Sequence, residues 1–515
     1  MVSFIKRHYF PILITLCVLF NGYFNLLNID RIRTQSDPNG TINAGSLVHN
    51  QTIYSIDNEY YLSPVDNYKH GKGWKRSPGV SDGDYYRRVP GYSLVYLLFY
   101  NMFGSQNLWF FLKLFQFLLF TISIPLFFRT CGYLSKGVGQ KIVTIIYAAS
   151  PLIGGWVCYT ITEGITPELM VFYLYFTYKG YQAIEKRKKT LFYSIAMILI
   201  TYLVLTRPYT AIAGIIILAA TLKDLSLLKR KFLPNFAVIF LFGFIGIGSW
   251  AFRNYRLTND VVLLEQAYHP QSLDRMKPEF RGFLNFAKSW GEDGDQFNNY
   301  HQPFYFAALS GDVGKAPAEK LLSQLPPAVV SDFGSKRLLR IFQLHQQAIL
   351  LQKPYFDQQK AQPDSYFKEQ LQVEKEYDKL TQEYKGKHFF NYWIGSPVKY
   401  LQRMIVNSNT AHLFIFQGDL SIGLKLYKLL LFLVHVFIYA AILFNIFRIK
   451  KRFEWIVFVL TPLIFIVFFS LIHREIEQRY MLPVLPIILM GGSLVLTDLS
   501  NKLKAVFQKV SKKTT

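Results

Sequence analysis

The chain has 515 residues, of which 51% are hydrophobic, 17% aromatic and only 17% charged. Soluble domains average about 25% charged residues, and here the apolar residues come in blocks of about 20, the thickness of a hydrocarbon core, so an ordinary soluble fold is excluded. The net charge of +24 sits beside the apolar blocks, where it reads as cytoplasmic anchoring; no soluble module presents the basic face that nucleic acid would need.

Lys6 and Arg7 precede the first block, 9–28. No small-residue cleavage site follows it, so it is expected to be a retained anchor with a cytoplasmic amino terminus. A polar loop, 29–90, comes next, and its stretch from Asp57 to Tyr92 crowds carboxylates, arginines, lysines and aromatics together. Further apolar blocks run over 108–128, 141–160, 165–181, 190–206, 208–222, 235–251, 425–447, 454–472 and 480–498. The piece 91–104 is apolar but too short to cross a bilayer comfortably.

Basic clusters set the topology. Lys186-Arg187-Lys188-Lys189, Lys229-Arg230-Lys231, Arg448 with Lys450-Lys451-Arg452, and the lysines from Lys502 to Lys513 all fall on one side only if 91–104 does not cross. Ten crossings are therefore expected, with 91–104 re-entrant or interfacial, as is tolerated where protein covers the backbone. The outer face then receives 29–90, the turn around Glu163, Arg207-Pro208, the long segment 252–424 and the turn 473–480. Within 252–424, SKRLLRIFQLHQQAILL and SYFKEQLQVEKEYDKLTQEY have helical apolar spacing. The expected architecture is an all-α polytopic membrane protein in three parts. A catalytic membrane module spans 1–251, a mostly helical extracytoplasmic domain spans 252–424, and the last helices and basic tail span 425–515.

Asp57 and Glu59 open the polar loop. A loop carboxylate is as a rule merely solvated; at a membrane-facing cleft it can accept a proton from an attacking hydroxyl or amine. Arg87 and Arg88 precede Val89-Pro90-Gly91-Tyr92; arginine recognises phosphate with a planar fork, though interfacial arginines also sit among lipid headgroups. Glu163 lies between two apolar blocks, with Glu168 five residues on, where carboxylates are costly and usually face a cavity. Arg207, Arg253 and the run from His473 to Tyr480, including Arg479, interrupt or end apolar runs on the same expected side. Together these residues point to an anionic ligand at the outer membrane surface.

Other signals are weak. Cys17, Cys131 and Cys158 imply no disulfide framework or thiolate metal site. The DGD at 82–84 and GEDGD at 291–295 lack calcium-loop spacing, the histidines lack a zinc pattern, and no glycine-rich phosphate loop is present. No cofactor is expected; a divalent metal is possible but nothing indicates one.

In this order the pieces resemble the GT-C glycosyltransferases that use polyprenyl-phosphate sugars, nearest to the bacterial family 39-like transferases, the protein O-mannosyltransferases and the lipid A aminoarabinose transferases. Asp57-Asn58-Glu59 with Tyr61 resembles the acidic motif of the first outer loop. Arg88-Val-Pro-Gly-Tyr92 is similar to the family's Arg-x-Pro-Gly-Tyr-Pro, with Ser93 where proline is usual. Ser150-Pro151 followed by Thr162-Glu163, Thr206-Arg207-Pro208, Trp250-Ala-Phe-Arg253-Asn254 (after Ser249 where proline is common) and Arg479-Tyr480-Met-Leu-Pro483 resemble later motifs. The segment 252–424 is not covered.

The resemblance implies a glycosyltransferase. Asp57 would serve as general base or orient the acceptor, with Glu59 and Glu163 assisting. Arg87, Arg88, Arg207, Arg253 and Arg479 are the candidates for the donor phosphate. Its partners would be a polyprenyl-phosphate sugar donor, a lipid, glycan or protein acceptor, and membrane lipids. It also implies a single inverting displacement and an apolar groove beside 91–104 for the prenyl tail. Richness in Phe, Tyr, Lys and Asn fits a bacterial inner membrane with a periplasmic active face and cytoplasmic termini. A polymerase or ligase using diphosphate-linked oligosaccharides is the alternative. A transporter should show inverted repeats, which are absent from the pattern.

Overall fold

The computed structural model describes residues 2–36, 58–76, 85–266, 268–271, 273, 275–291, 294–406, 421–474 and 478–514. Among them every regular element is helical and no strand occurs. All ten apolar blocks form helix, and seven helical stretches are long and apolar enough to cross a membrane: His8–Leu27, Gly91–Leu134, Val138–Cys158, Pro208–Lys231, Leu233–Thr258, Ile422–Arg448 and Arg452–His473. Thr166–Gln182, Lys186–Val204 and Leu485–Thr514 pack among them. The chain is a polytopic all-helical membrane protein.

Helix Gly91–Leu134 is two helices joined at Gly104, whose φ of 69° and ψ of 172° belong to a backbone region open essentially to glycine. The chain doubles back there. Phe103 stacks on Phe111 at 3.8 Å, Phe99 meets Phe115 at 5.2 Å, and the Tyr92 hydroxyl donates to Gln116 Oε1 at 2.8 Å. The piece 91–103 thus returns along the next helix, so residues 91 and 116 sit at one level. Gln116 Nε2 then donates to the carbonyls of Val157 (2.7 Å) and Tyr159 (3.0 Å), tying the hairpin to the turn that carries Glu163.

The membrane helices share one large core. A separate core joins Pro278–Ser289, Gly294–Ser310, Lys315–Ser323, Ser335–Leu350 and Lys368–Lys387. In Ser335–Leu350 the buried residues Leu338, Ile341, Phe342, His345 and Ile349 recur at helical spacing, so this is a helical domain with its own interior, the one expected on the outer face. Its last helix, Ser396–Ile405, reaches back to the membrane: Met404 joins the membrane core, and His435 Nε2 donates to the Met404 carbonyl at 3.1 Å. A third, small core packs helix Asn58–Lys69 on the hairpin through Tyr61, Leu62, Val65, Tyr92, Tyr96 and Leu112. At the opposite end, Lys189 is buried rather than facing lipid headgroups. It pairs with Asp224 at 2.9 Å, and Tyr193 donates to the same carboxylate at 2.8 Å.

Candidate active site

Three interhelical turns meet because small residues let them. Gly91 N donates to Leu205 O at 2.5 Å, and the Tyr202 hydroxyl donates to Gly91 O at 2.7 Å. A Cβ on Gly91 would collide with Leu205 and Thr206. That approach sets Thr206-Arg207-Pro208 against the turn Thr162–Gly164. Arg207 forms an ion pair with Glu163, and its Nε donates to Thr162 Oγ1 at 2.5 Å. The Thr162 hydroxyl donates to Glu163 Oε2 at 2.8 Å, and Arg479 Nε lies 3.7 Å from Glu163 Oε1. Glu163 is 1% exposed and the Arg207 side chain 11%. Burial alone would push the Glu163 carboxyl up; the Arg207 and Arg479 guanidiniums outweigh it and hold the carboxyl below its ordinary range. Glu163 is therefore ionised, a poor base and a good holder of arginines.

Above this cluster is a cavity of about 690 Å³. Tyr61 and Arg88 from the first outer loop, the turn 206–212, and Phe468, Phe469, His473, Arg479 and Tyr480 line one side. The outer domain supplies the rest: Glu265, Tyr268, Arg275, Met276, Phe280, Leu284 and Lys288. Aromatic rings pave the wall beside the arginines. Tyr209 stands edge-on to Phe469 at 5.1 Å, and Phe469 stacks on Tyr480 at 5.4 Å. A second, smaller cavity of about 380 Å³ lies between the hairpin and helix Leu233–Thr258, lined by Leu94, Leu97, Leu205, Trp250 and others, most of them apolar.

The structure brings Glu163, Arg207 and Arg479 together and adds Arg88 to the cavity wall, where it faces Glu265 at 3.4 Å. Arg87 does not line the large cavity; it lies over the Tyr60 ring at 5.4 Å, alongside Arg76 at 4.8 Å and Arg88 at 5.5 Å. Glu59 is exposed and outside the lining. Arg253 sits elsewhere. Its fork is spent on the carbonyls of Trp74 (2.7 Å) and Tyr85 (2.6 Å) and on Asn254 Oδ1 (2.9 Å), so it clamps the outer loop to its helix. Asp57 lies outside the described residues. Arg275, Lys288 and Tyr268 were not singled out by sequence, since 252–424 is charged throughout and offers no apolar background for them to interrupt. Among the described residues no group of three or more His, Cys, Asp or Glu is placed to hold a metal ion.

No family model and no curated protein matches this chain. Among solved structures it is similar to the oligosaccharyltransferase AglB from the archaeon Archaeoglobus fulgidus, in complex with an inhibitory peptide and a dolichol-phosphate, with TM-score 0.44 and 13% identity over 99% of this chain and 52% of that one. It is also similar to ArnT from Cupriavidus metallidurans in the apo state (TM-score 0.33, 11% identity, 86% of this chain and 73% of that one). The same protein bound to undecaprenyl phosphate gives TM-score 0.34 and 11% identity over 93% and 77%. The chain spans about half the length of the oligosaccharyltransferase. Likenesses this weak carry no argument about activity, which rests on the geometry of the cavity.

Proposed function

We propose that this chain is an integral-membrane glycosyltransferase of GT-C type. It would move a sugar from a polyprenyl-phosphate donor to a lipid, glycan or protein acceptor at the outer, periplasmic face of a bacterial inner membrane. The observation that carries this reading is the buried Arg207–Glu163–Arg479 cluster beneath a cationic, aromatic-walled cavity, with an apolar groove next to it. A guanidinium pair fixed by a carboxylate is pre-organised for an oxyanion and needs little rearrangement when charge builds on it. The aromatic wall suits the face of a sugar ring, and the groove beside Leu94 and Leu97 suits a prenyl chain.

In the reaction the acceptor oxygen or nitrogen forms a bond to the anomeric carbon as the bond to the phosphate oxygen breaks. The bonding pair leaves with the phosphate, whose charge Arg207 and Arg479 stabilise, and the acceptor proton passes to a base. Glu163 is held too acidic for that proton, so Asp57 is the proposed base; Glu163 positions the arginines. One displacement inverts the anomeric centre.

The test is transfer from a panel of radiolabelled polyprenyl-phosphate sugars by the full chain in nanodiscs. Asp57→Asn and Arg479→Gln are each expected to lose about 100-fold or more in kcat/KM, on the scale of removing a base or an oxyanion donor. Full activity in Asp57→Asn removes Asp57 as the base. Use of diphosphate-linked oligosaccharides alone would replace this reading with a polymerase or ligase.

A further inference from the structure

The cavity has two cationic poles. Helix Pro278–Ser289 faces it with Phe280, Leu284 and Lys288, residues four apart on one stripe. At 1.5 Å per residue, Phe280 and Lys288 are ~12 Å apart along the axis. Lys288 stands at the far end, where its Nζ reaches the His473 carbonyl at 3.4 Å, beside the turn that carries Arg479. Arg275 precedes the near end of the helix and, like Arg88, lines the cavity and acts with Tyr60. An apolar wall separates the two.

The poles are charged differently. At the Arg479 pole the buried carboxylate of Glu163 answers Arg207 and Arg479. At the other pole like charges crowd. Arg76, Arg87 and Arg88 surround the Tyr60 ring, Arg275 acts electrostatically on the same tyrosine, and Lys277 is buried close enough to feel Arg87. Glu265 answers Arg88 at 3.4 Å. Arg275 forms no ion pair among the described residues, and its Nη1 is buried with no hydrogen-bond acceptor. A buried unmatched donor costs about 1–3 kcal/mol, more when charged. A ligand anion at the cavity wall would supply the missing acceptor.

We propose that Arg275, with Arg88, forms an anion subsite for the acceptor, and that the acceptor carries a phosphate or carboxylate. This rests on the transferase reading in one respect, the seating of the donor phosphate at Arg207 and Arg479. Arg207 and Arg479 are already answered by Glu163, whereas the Arg275 donor at the same cavity is not, which is the ground for treating them as two subsites. The acceptor's nucleophile would then be steered to the donor from the outer-domain side. Arg275 would set which acceptors are used without touching the reacting atoms.

The experiment uses the full chain in nanodiscs of uncharged lipid and two probes, geranylgeranyl phosphate for the donor pole and inorganic phosphate for the acceptor pole, read by calorimetry. With geranylgeranyl phosphate saturating, the wild type is expected still to bind inorganic phosphate. Arg275→Gln should weaken that binding about 10-fold or more, Arg275→Lys should restore part of it, and neither should change geranylgeranyl phosphate affinity, which also shows that both variants fold. Arg479→Gln should do the reverse. Inorganic phosphate binding that is absent in the wild type, or unchanged in Arg275→Gln, overturns the subsite. A tighter grip on geranylgeranyl diphosphate than on the monophosphate, erased by Arg275→Gln, assigns the anion to the donor and overturns the acceptor reading. If the wild type ignores geranylgeranyl phosphate but loses inorganic phosphate binding on Arg275→Gln, the transferase reading fails and the subsite stands.

Discussion

The floor and the roof of the cavity handle buried charge in opposite ways. On the floor, Glu163 is enclosed but matched by Arg207, Arg479 and Thr162. In the roof, Lys277 is fully buried and donates to His269 O at 3.0 Å and to Pro270 O, with the buried Glu279 carboxyl acting on it, while Arg275 keeps a donor with no hydrogen-bond acceptor. Burial pushes Lys277 down to about 7 from 10.5 and Glu279 up to about 7 from 4.5. The floor is a finished electrostatic unit that holds its shape whether or not a ligand is present. The roof is unfinished and gains most from an anion. On the proposed function, catalytic geometry would belong to the membrane turns and selectivity to the domain that carries Arg275.

Breaking the floor has the largest expected effect. Arg207→Met leaves Glu163 buried without its principal partner, a loss of about 3–5 kcal/mol, seen as a lower Tm and lost transfer. Adding Glu163→Gln should recover most of the Tm and none of the transfer. Recovery of transfer in the double variant would mean that the pair is only structural.

Next is the frame that holds the floor. Gly104→Val forces a branched side chain into a conformation open essentially to glycine and should cost about 1–3 kcal/mol in thermal unfolding. An unchanged Tm would mean that the hairpin at Gly104 is not formed as described.

Arg253 sharpens the contrast among arginines. Because its fork is occupied by Trp74 O and Tyr85 O, Arg253→Gln should loosen the loop, seen as faster proteolysis between helix Asn58–Lys69 and Gly91. Affinity for polyprenyl phosphate should fall far less than in Arg479→Gln. Equal losses would return Arg253 to the phosphate site.

The smallest effect is a slope. Between about 7 and 10.5 the unfolded chain holds the Lys277 proton and the folded chain does not, so this group makes stability rise with pH across that window. Lys277→Met should lack that rise: its Tm relative to wild type should drop as pH goes from 7 to 10. On the floor the slope has the same sign but falls at acid pH. The depressed Glu163 carboxyl contributes stability above its ordinary range and loses it only as pH falls through the lower folded value, so the floor stays intact through the neutral range.

Much of the floor was legible in the sequence because Glu163, Arg207 and Arg479 each break an apolar stretch, where a charge stands out. The shortness of 91–104 set it apart in the sequence, and the fold shows it returning from Gly104 along the next helix. What could not be read was direction. Arg253 occupies a motif-like position, but only the fold shows its fork turned to carbonyls of a distant loop. The roof was illegible for the opposite reason: Arg275 and Lys288 lie in a segment where charge is common. Helix Ser396–Ile405 also escaped notice, since Lys399, Gln402 and Arg403 interrupt its hydropathy although Met404 reaches the membrane core.

The central claim is that Arg207 and Arg479, fixed by Glu163, seat a lipid phosphate. It is tested most directly by titrating polyprenyl phosphate into the nanodisc-held protein and its Arg479→Gln variant. The account predicts saturable binding at one site that weakens about 10-fold or more in the variant, with a smaller fall in Tm than in Arg207→Met. Equal affinity in the two proteins would contradict it.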